Sequence, residues 1–263
     1  MDAAPNFGLS LRWITVTCFE FRFGSLRVVS DPFITDAPGT ELDGSAIEAC
    51  DLITLSHGHW DHIMDLPLLM ERFQPRLLCG ELTAEPLADW LNCSPSRIYP
   101  MTPDLELDFG DMKVRALFGR HTDLVTGYCD QVRDLAGRPL LHGDPKLVRL
   151  QAVGCLEYRN YLFTLPDGTR LVLWGSDPTP EQRSMLRALH PDIGLLQLSR
   201  QDPVEMGNFA ADIGVRVLIP HHMDLKLKEA QYAPRVEKLR ETFLARVPGG
   251  RFLSPGHGEW VTV

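Results

Sequence analysis

The chain lacks the features that would place it in a membrane or on a long nucleic acid. No stretch of its 263 residues approaches the roughly 18 unbroken apolar residues of a membrane span. No basic segment followed by an apolar one opens the sequence, so we expect no secretion signal. The formal net charge is −9, whereas proteins that grip nucleic acids carry basic faces. We therefore predict a cytoplasmic protein with a small-molecule substrate, no membrane span and no nucleic-acid partner.

Several other signals are missing as well. None of the six cysteines forms a C-x-x-C pair, and most stand in apolar surroundings, which predicts reduced and buried thiols. The sequence contains no G-x-S-x-G, P-loop or G-x-G-x-x-G motif to indicate a serine nucleophile or a nucleotide site. It also contains no repeat, low-complexity tract or linker. These absences and the length predict one domain over residues 1–263.

What is present begins with strands that pair as hairpins. Residues 11–23 and 25–31 are rich in β-branched and aromatic side chains, which predicts two strands joined at Gly24–Ser25. Further along, strands alternate with helices, including predicted helices at 63–73 and 228–246. This order predicts two sheets covered by helices on the outside.

A cluster of polar side chains follows the short apolar run LITLS. The segment HGHWDH places three histidines and an aspartate at positions 57, 59, 61 and 62. Residues two apart in an extended segment point to the same side, so His57 and His59 can reach one point. Asp61 and His62 fall where the chain begins to curl into a helix, and they point elsewhere. Because imidazole and carboxylate are natural metal ligands, the segment predicts two neighbouring cations.

Two cations need more ligands than one loop supplies, and further candidates stand at the ends of other apolar strands. VRALFGRH ends at His121, LVLWGSD ends at Asp177, and VRVLIPHH ends at His221 and His222. Strand ends are held by a rigid scaffold, as a metal site requires.

The order of these motifs resembles the metallo-β-lactamase superfamily, and the resemblance spans nearly the whole chain. The segments VVSDPF and NYLFTLPDGTRLVLWGSD resemble its second strand and the hairpin that leads to its bridging aspartate. The closing LSPGHGEW resembles the final strand of the branch that includes ascorbate-phosphate lactonase and N-acyl-ethanolamine phospholipase. The resemblance implies an α/β fold, a four-layer αββα sandwich of two mixed β-sheets with helices on the outer faces.

The resemblance also implies a ligand set for two divalent cations. Zinc is favoured, and manganese or iron also fits this set. The first cation would be held by His57, His59 and His121, the second by Asp61, His62 and His222, with Asp177 as the bridge. We choose His222 over His221 because the matching motif is Pro-x-His and Pro220 sets the count.

Five other residues are candidates for supporting or substrate-binding roles. Asp31 either starts a turn before a proline or orients a ligand imidazole from beneath the loop. His221 can touch the substrate as a neighbour of His222. Arg120 and Arg200 either face a substrate anion or serve as solvated or structural arginines. His257 stands either in a plain loop or on the rim of the site.

The function implied is hydrolysis of a small ester, lactone or phosphorylated substrate by a hydroxide that bridges the metals. Asp61 would act as acid and base in catalysis. Alternatives on the same site are a phosphodiesterase or nuclease and an iron-dependent oxidoreductase. A non-enzymatic binding module is a further alternative, disfavoured because every ligand position is filled.

The least regular stretch covers residues 122–154, which contain four glycines and two prolines. Both of its ends are tied to predicted ligands, so we expect a shaped loop near the mouth of the site. This loop would select small substrates and contribute little to metal binding. Alternatively, it would form a subunit contact in a homo-oligomer.

Overall fold

The described part of the chain comprises residues 7–121, 144–225 and 228–263 of a computed structural model, and it contains two β-sheets of seven strands each. The first sheet is formed by β1 (Ser10–Thr15), β2 (Cys18–Phe23), β3 (Leu26–Ser30), β4 (Leu52–Thr54), β5 (Arg76–Cys79) and β6 (Ile98–Pro100). The second is formed by β7 (Glu106–Asp108), β8 (Lys113–Gly119), β9 (Tyr158–Thr164), β10 (Arg170–Trp174), β11 (Ile193–Gln197), β12 (Val217–His221) and β13 (Arg251–Phe252). The last strand, β14 (Trp260–Thr262), returns to the first sheet beside β1.

Both sheets are mixed. Their strand orders are β14-β1-β2-β3-β4-β5-β6 and β13-β12-β11-β10-β9-β8-β7. Strands β3 to β6 run parallel in the first sheet, and β10 to β13 run parallel in the second. The remaining pairs are antiparallel. The carboxyl ends of the parallel strands therefore offer a shared edge for polar side chains.

Helices cover the outer faces of the two sheets. They are α1 (Trp60–Ile63), α2 (Leu66–Phe73), α3 (Glu81–Leu91), α4 (Pro145–Leu156), α5 (Pro180–Leu189), α6 (Pro203–Asp212) and α7 (Glu229–Arg246). Apolar residues of α2, α3 and α4 pack with β3, β4 and β5, and those of α5, α6 and α7 pack on the second sheet. The predicted four-layer α/β sandwich is confirmed. Within the described ranges, no helix combines the length and apolar character that crossing a membrane requires.

Two predicted elements are each divided in the structure. The strand predicted over 11–23 breaks after β1, because Val16 takes a positive φ of 47° and its N–H donates to the Asp224 carboxylate at 3.1 Å. The helix predicted over 63–73 breaks between α1 and α2. Pro67 stands in the first turn of α2, where its missing N–H costs nothing.

The prediction of an irregular segment at 122–154 is wrong for its last part. Residues 122–143 lie outside the described residues, but α4 is regular from Pro145 onward. Asp144 caps this helix by accepting hydrogen bonds from the backbone N–H groups of Lys146 and Leu147, and Pro145 fits the first turn. The Asp-Pro pair thus begins a helix here, and Gly154 is tolerated inside it.

The core between the sheets yields a test of packing. The fully buried ring of Phe163 on β9 lies 5.5 Å, centroid to centroid, from both Phe21 and Phe23 on the opposite sheet. We predict that Phe163→Ala lowers the free energy of unfolding by about 3–5 kcal/mol, because a cavity replaces these contacts. Phe118→Ala on the neighbouring strand is the control, since this ring is 54% exposed. Urea unfolding measures both variants, and equal losses would contradict the packing described.

Candidate metal centre

The HGHWDH segment follows β4 and runs from a loop into helix α1. His59 precedes α1 as its N-terminal cap residue, and Asp61 and His62 belong to α1 itself. His121 follows β8 and His222 follows β12. These side chains therefore come from both sheets and meet at one edge of the sandwich, where strands end.

The first group comprises His57, His59 and His121. Each offers a nitrogen, and these three atoms lie within 4.8 Å of one another. The ring centroids are 4.3 Å apart for His57 and His59, 4.5 Å for His59 and His121, and 5.0 Å for His57 and His121. Three imidazoles thus face one point, as tetrahedral metal sites require.

The second group comprises Asp61, His62 and His222, whose candidate ligand atoms also lie within 4.8 Å of one another. Asp61 Oδ2 is 3.6 Å from His62 Nε2 and 3.9 Å from His222 Nε2. The two groups are neighbours, because the rings of His57 and His62 are 4.2 Å apart. The Pro-x-His register selects His222 over His221, and His222 is the member of this pair that lies in the second group.

The electrostatics of both groups suit a cation. Burial, together with the neighbouring His121, lowers the pKa of His59 to about 3. Burial and the nearby His62 lower the pKa of His222 to about 4. Burial opposes the charge on Asp61, but the adjacent histidines outweigh it and lower the pKa of that carboxyl. Neutral imidazoles and an anionic carboxylate are the forms that bind divalent metals, so the donor set fits two such ions.

Asp31 lies beneath residues 57–62, which we call the metal loop, and its carboxylate is buried. Its Oδ1 accepts a hydrogen bond from Ser56 N at 2.6 Å, and its Oδ2 accepts from Ser56 Oγ at 2.6 Å. The same Oδ2 lies 2.9 Å from His62 Nδ1. Burial acts against the charged form of His62, but Asp61 and Asp31 outweigh it and raise the pKa of this imidazole. The carboxylate thus orients His62, with Nε2 left toward the second group.

Ser56 is a supporting residue that the sequence interpretation missed. Its Oγ lies 2.9 Å from His57 Nδ1 while it contacts Asp31. One hydroxyl therefore connects the first group to the carboxylate that orients the second. A hydroxyl residue immediately before the first histidine was the only signal in the sequence.

The ligand groups line one cavity with four further residues, Arg120, Tyr158, Gly175 and Gln197. The ring of Tyr158 is buried and lies 4.8 Å from that of His57, centroid to centroid. Its hydroxyl occupies the space above Gly175, where an added Cβ would meet it at 1.7 Å. Glycine is therefore required at position 175 for this tyrosine to reach the cavity.

Asp177, the predicted bridge, is a member of neither ligand group and does not line the cavity. Strand β10 ends at Trp174, whose indole Nε1 donates to the Ser176 carbonyl at 2.6 Å. The chain turns there, so Gly175 lines the cavity while Asp177 is exposed and belongs to neither group. Its bridging role stays a prediction.

Three of the candidate substrate residues also lie elsewhere. His221 is fully buried, with Nε2 3.2 Å from the Trp174 carbonyl, and it does not line the cavity. His257 stacks on Trp13 at 4.5 Å between centroids and donates from Nδ1 to a backbone carbonyl. Arg200 is exposed and does not line the cavity. Only Arg120 of the four candidates reaches the cavity.

The Asp31 contacts give a test of metal affinity. In Asp31→Asn, the amide N–H group would face both the Ser56 hydroxyl and the donor nitrogen of His62, so donors oppose each other. We predict that this variant binds its second equivalent of Zn²⁺ about 10–100-fold more weakly. The control is Asp51→Asn, because within the described ranges the exposed Asp51 carboxylate accepts a hydrogen bond only from the Arg27 backbone N–H. Chelator-competition titration measures both, and equal affinities would contradict the orienting role.

Comparison with known proteins identifies a family. The family model for the metallo-β-lactamase superfamily matches residues 11–184, more than half of the chain. A UPF0173 metal-dependent hydrolase of Thermoplasma acidophilum is 24% identical over 225 residues, which cover 81% of this chain and 95% of that protein. Another, from Solibacter usitatus, is 25% identical over 220 residues, covering 81% of this chain and 84% of that protein.

Solved structures share the architecture at low sequence identity. Igni18, a metallo hydrolase of Ignicoccus hospitalis, matches with a TM-score of 0.68 at 14% identity, covering 97% of this chain and 98% of that one. CmlA, a diiron β-hydroxylase of Streptomyces venezuelae, matches with a TM-score of 0.63 at 12% identity, covering 100% of this chain and 55% of that one. At such identities the likeness is one of fold alone.

Proposed function

We propose a function from the premise that this chain belongs to the metallo-β-lactamase superfamily: it hydrolyses a small ester or lactone with the help of two divalent cations. The observation that carries the proposal is the adjacency of two three-residue ligand groups in one cavity, with His57 and His62 4.2 Å apart between ring centroids. The relatives named as metal-dependent hydrolases support the same reaction class.

The residues fit zinc, manganese or iron, since neutral imidazoles with one carboxylate suit all three. His57, His59 and His121 would hold one ion, and Asp61, His62 and His222 would hold the other. Such ions would supply Lewis acidity and bring the pKa of a bound water toward neutrality.

Asp61 is the catalytic residue of this proposal. Its lowered pKa keeps the carboxylate ionised at neutral pH, and its Oδ2 lies 3.6 Å from His62 Nε2 and 3.9 Å from His222 Nε2. From this position Oδ2 can take a proton from the attacking water and return it to the leaving oxygen. No serine or cysteine nucleophile is then required.

Arg120 favours a substrate that carries an anionic group. It is the only lysine or arginine among the described residues that line the cavity. Its exposed guanidinium has no hydrogen-bond or ion-pair partner in the described ranges. A guanidinium binds carboxylate or phosphate through paired N–H donors. A single positively charged side chain in the cavity suits a small anionic substrate. The net charge of −9 disfavours a long nucleic acid.

The deciding experiment is a panel of lactones, carboxylic esters and phosphodiesters, assayed on metal-free protein and after addition of Zn²⁺ or Mn²⁺. We expect no turnover without metal, recovery with metal, and faster cleavage of lactones or esters than of phosphodiesters. Activity that survives metal removal would overturn the proposal. A preference for phosphodiesters would favour a phosphodiesterase, and two irons without hydrolysis in protein from its native host would favour an oxidoreductase.

Substitutions can separate the two proposed roles of the metal loop, which are to bind cations and to transfer a proton. We predict that His59→Ala loses most of the first ion and nearly all activity. Asp61→Asn should keep more metal than activity, because an amide oxygen coordinates weakly but cannot take the proton. His190→Asn serves as the control, since this exposed histidine ends α5 with a positive φ that asparagine tolerates. Equal metal loss in the first two variants would reduce Asp61 to a ligand.

The anion-binding role of Arg120 is tested by Arg120→Gln. We predict a loss of about 10–100-fold in kcat/KM for anionic substrates, which corresponds to the roughly 1.5–3 kcal/mol of a charged hydrogen bond. Neutral esters of the same size should change little. Arg200→Gln is the matched control, because that arginine does not line the cavity. A similar loss with neutral and anionic substrates would contradict charge recognition.

A further inference from the structure

The C-terminal half of α4 packs against the metal loop so closely that the helix backbone contacts loop residues. A Cβ added to Gly58 would meet the Leu150 carbonyl oxygen at 2.7 Å, and one added to Gly154 would meet Cδ2 of His59 at 2.5 Å. Glycine on each side of the contact is what permits this approach. Helix α4 is therefore in direct contact with a candidate ligand, although the sequence predicted that residues 122–154 add little to metal binding.

The contact fixes which edge of the His59 ring faces the helix. The added Cβ on Gly154 would lie 2.5 Å from Cδ2 and 3.1 Å from Nε2, so the Cδ2–Nε2 edge is turned toward α4. Cys155 Sγ lies 3.4 Å from His59 Nε2. The opposite edge, which carries Nδ1, is the one left for the other histidines.

We propose that the last turn of α4 acts as a positioning element for the metal centre, through the Cys155 thiol. Its sulfur holds the His59 proton on Nε2 and leaves the lone pair of Nδ1 free to coordinate. A neutral imidazole carries one proton, so a ring that coordinates through Nδ1 presents Nε2–H to the helix, where the sulfur accepts it. This inference rests on the metal site of the proposed function and adds a residue, Cys155, that touches neither substrate nor metal.

Two further observations support a positioning role. The buried side-chain carbonyl of Gln151 lies 3.4 Å from the backbone N of Trp60, the residue after His59, so the helix binds the loop twice. Among the described residues, Cys155 is a member of neither ligand group. Its sulfur faces the nitrogen on the helix side of the ring. The thiol is thus placed to orient a ligand rather than to be one.

The test compares Cys155→Ser, which keeps a hydrogen-bond acceptor, with Cys155→Ala, which removes it. The first measurement is the His59 tautomer in metal-free protein, read from ¹⁵N-histidine NMR. We expect Nε2–H in the parent and in Cys155→Ser, and a mixture of tautomers in Cys155→Ala. The second is Zn²⁺ affinity by chelator competition, with about a 10-fold loss at the first site in Cys155→Ala and recovery in Cys155→Ser.

Cys93→Ala is the matched control, because this half-buried cysteine follows α3 and lies outside both ligand groups. If Cys155→Ala keeps the parental tautomer and affinity, as Cys93→Ala should, the proposal is overturned. It is also overturned if Cys155→Ser loses as much Zn²⁺ affinity as Cys155→Ala, since packing rather than hydrogen bonding would then be what orients His59. Absence of metal binding in the parent would refute the proposed function, whereas the tautomer measurement needs no metal.

Discussion

The buried carboxylate of Asp31 is the constraint on which the metal centre depends. It accepts hydrogen bonds from the backbone and hydroxyl of Ser56 and lies 2.9 Å from His62 Nδ1. Ser56 Oγ in turn meets His57, so one histidine from each ligand group is oriented through the same anion. A buried charge is costly unless it is paired, and these contacts supply its partners. The loop cannot shift without leaving that charge unsatisfied.

The second sheet is tied to this centre through a strained turn in the first. Val16, between β1 and β2, holds a positive φ that is unfavourable for a β-branched residue. Its carbonyl accepts from the His222 N–H at 2.8 Å, and its own N–H donates to Asp224. The segment after β12 thus satisfies both backbone groups of Val16. In return, the turn fixes His222 opposite the loop that carries Asp61.

Helix α4 shows why the sequence did not predict part of the fold. Gly154 and the other glycines of residues 122–154 indicated a shaped loop, because glycine weakens an isolated helix. In the structure, Gly154 is inside α4, at a point where any side chain would collide with His59. The presence of glycine at position 154 is therefore explained by the contact between α4 and the metal loop, two segments far apart in sequence. Local propensity therefore indicated the wrong element, although the capping pair Asp144–Pro145 was visible.

The sequence by itself determined the two sheets, the outer helices and the donor types, because hydrophobic periodicity and strand-end histidines are local patterns, and the family resemblance implied that the sheets are mixed. The family resemblance selected His222 over His221 by register, and only the tertiary structure decided which other side chains reach the two groups. It left Asp177 exposed beyond the turn at Trp174 and brought Cys155 to His59. The physical reason is that side-chain direction after a strand depends on the hydrogen bonds and packing of the next few residues, which distant segments supply.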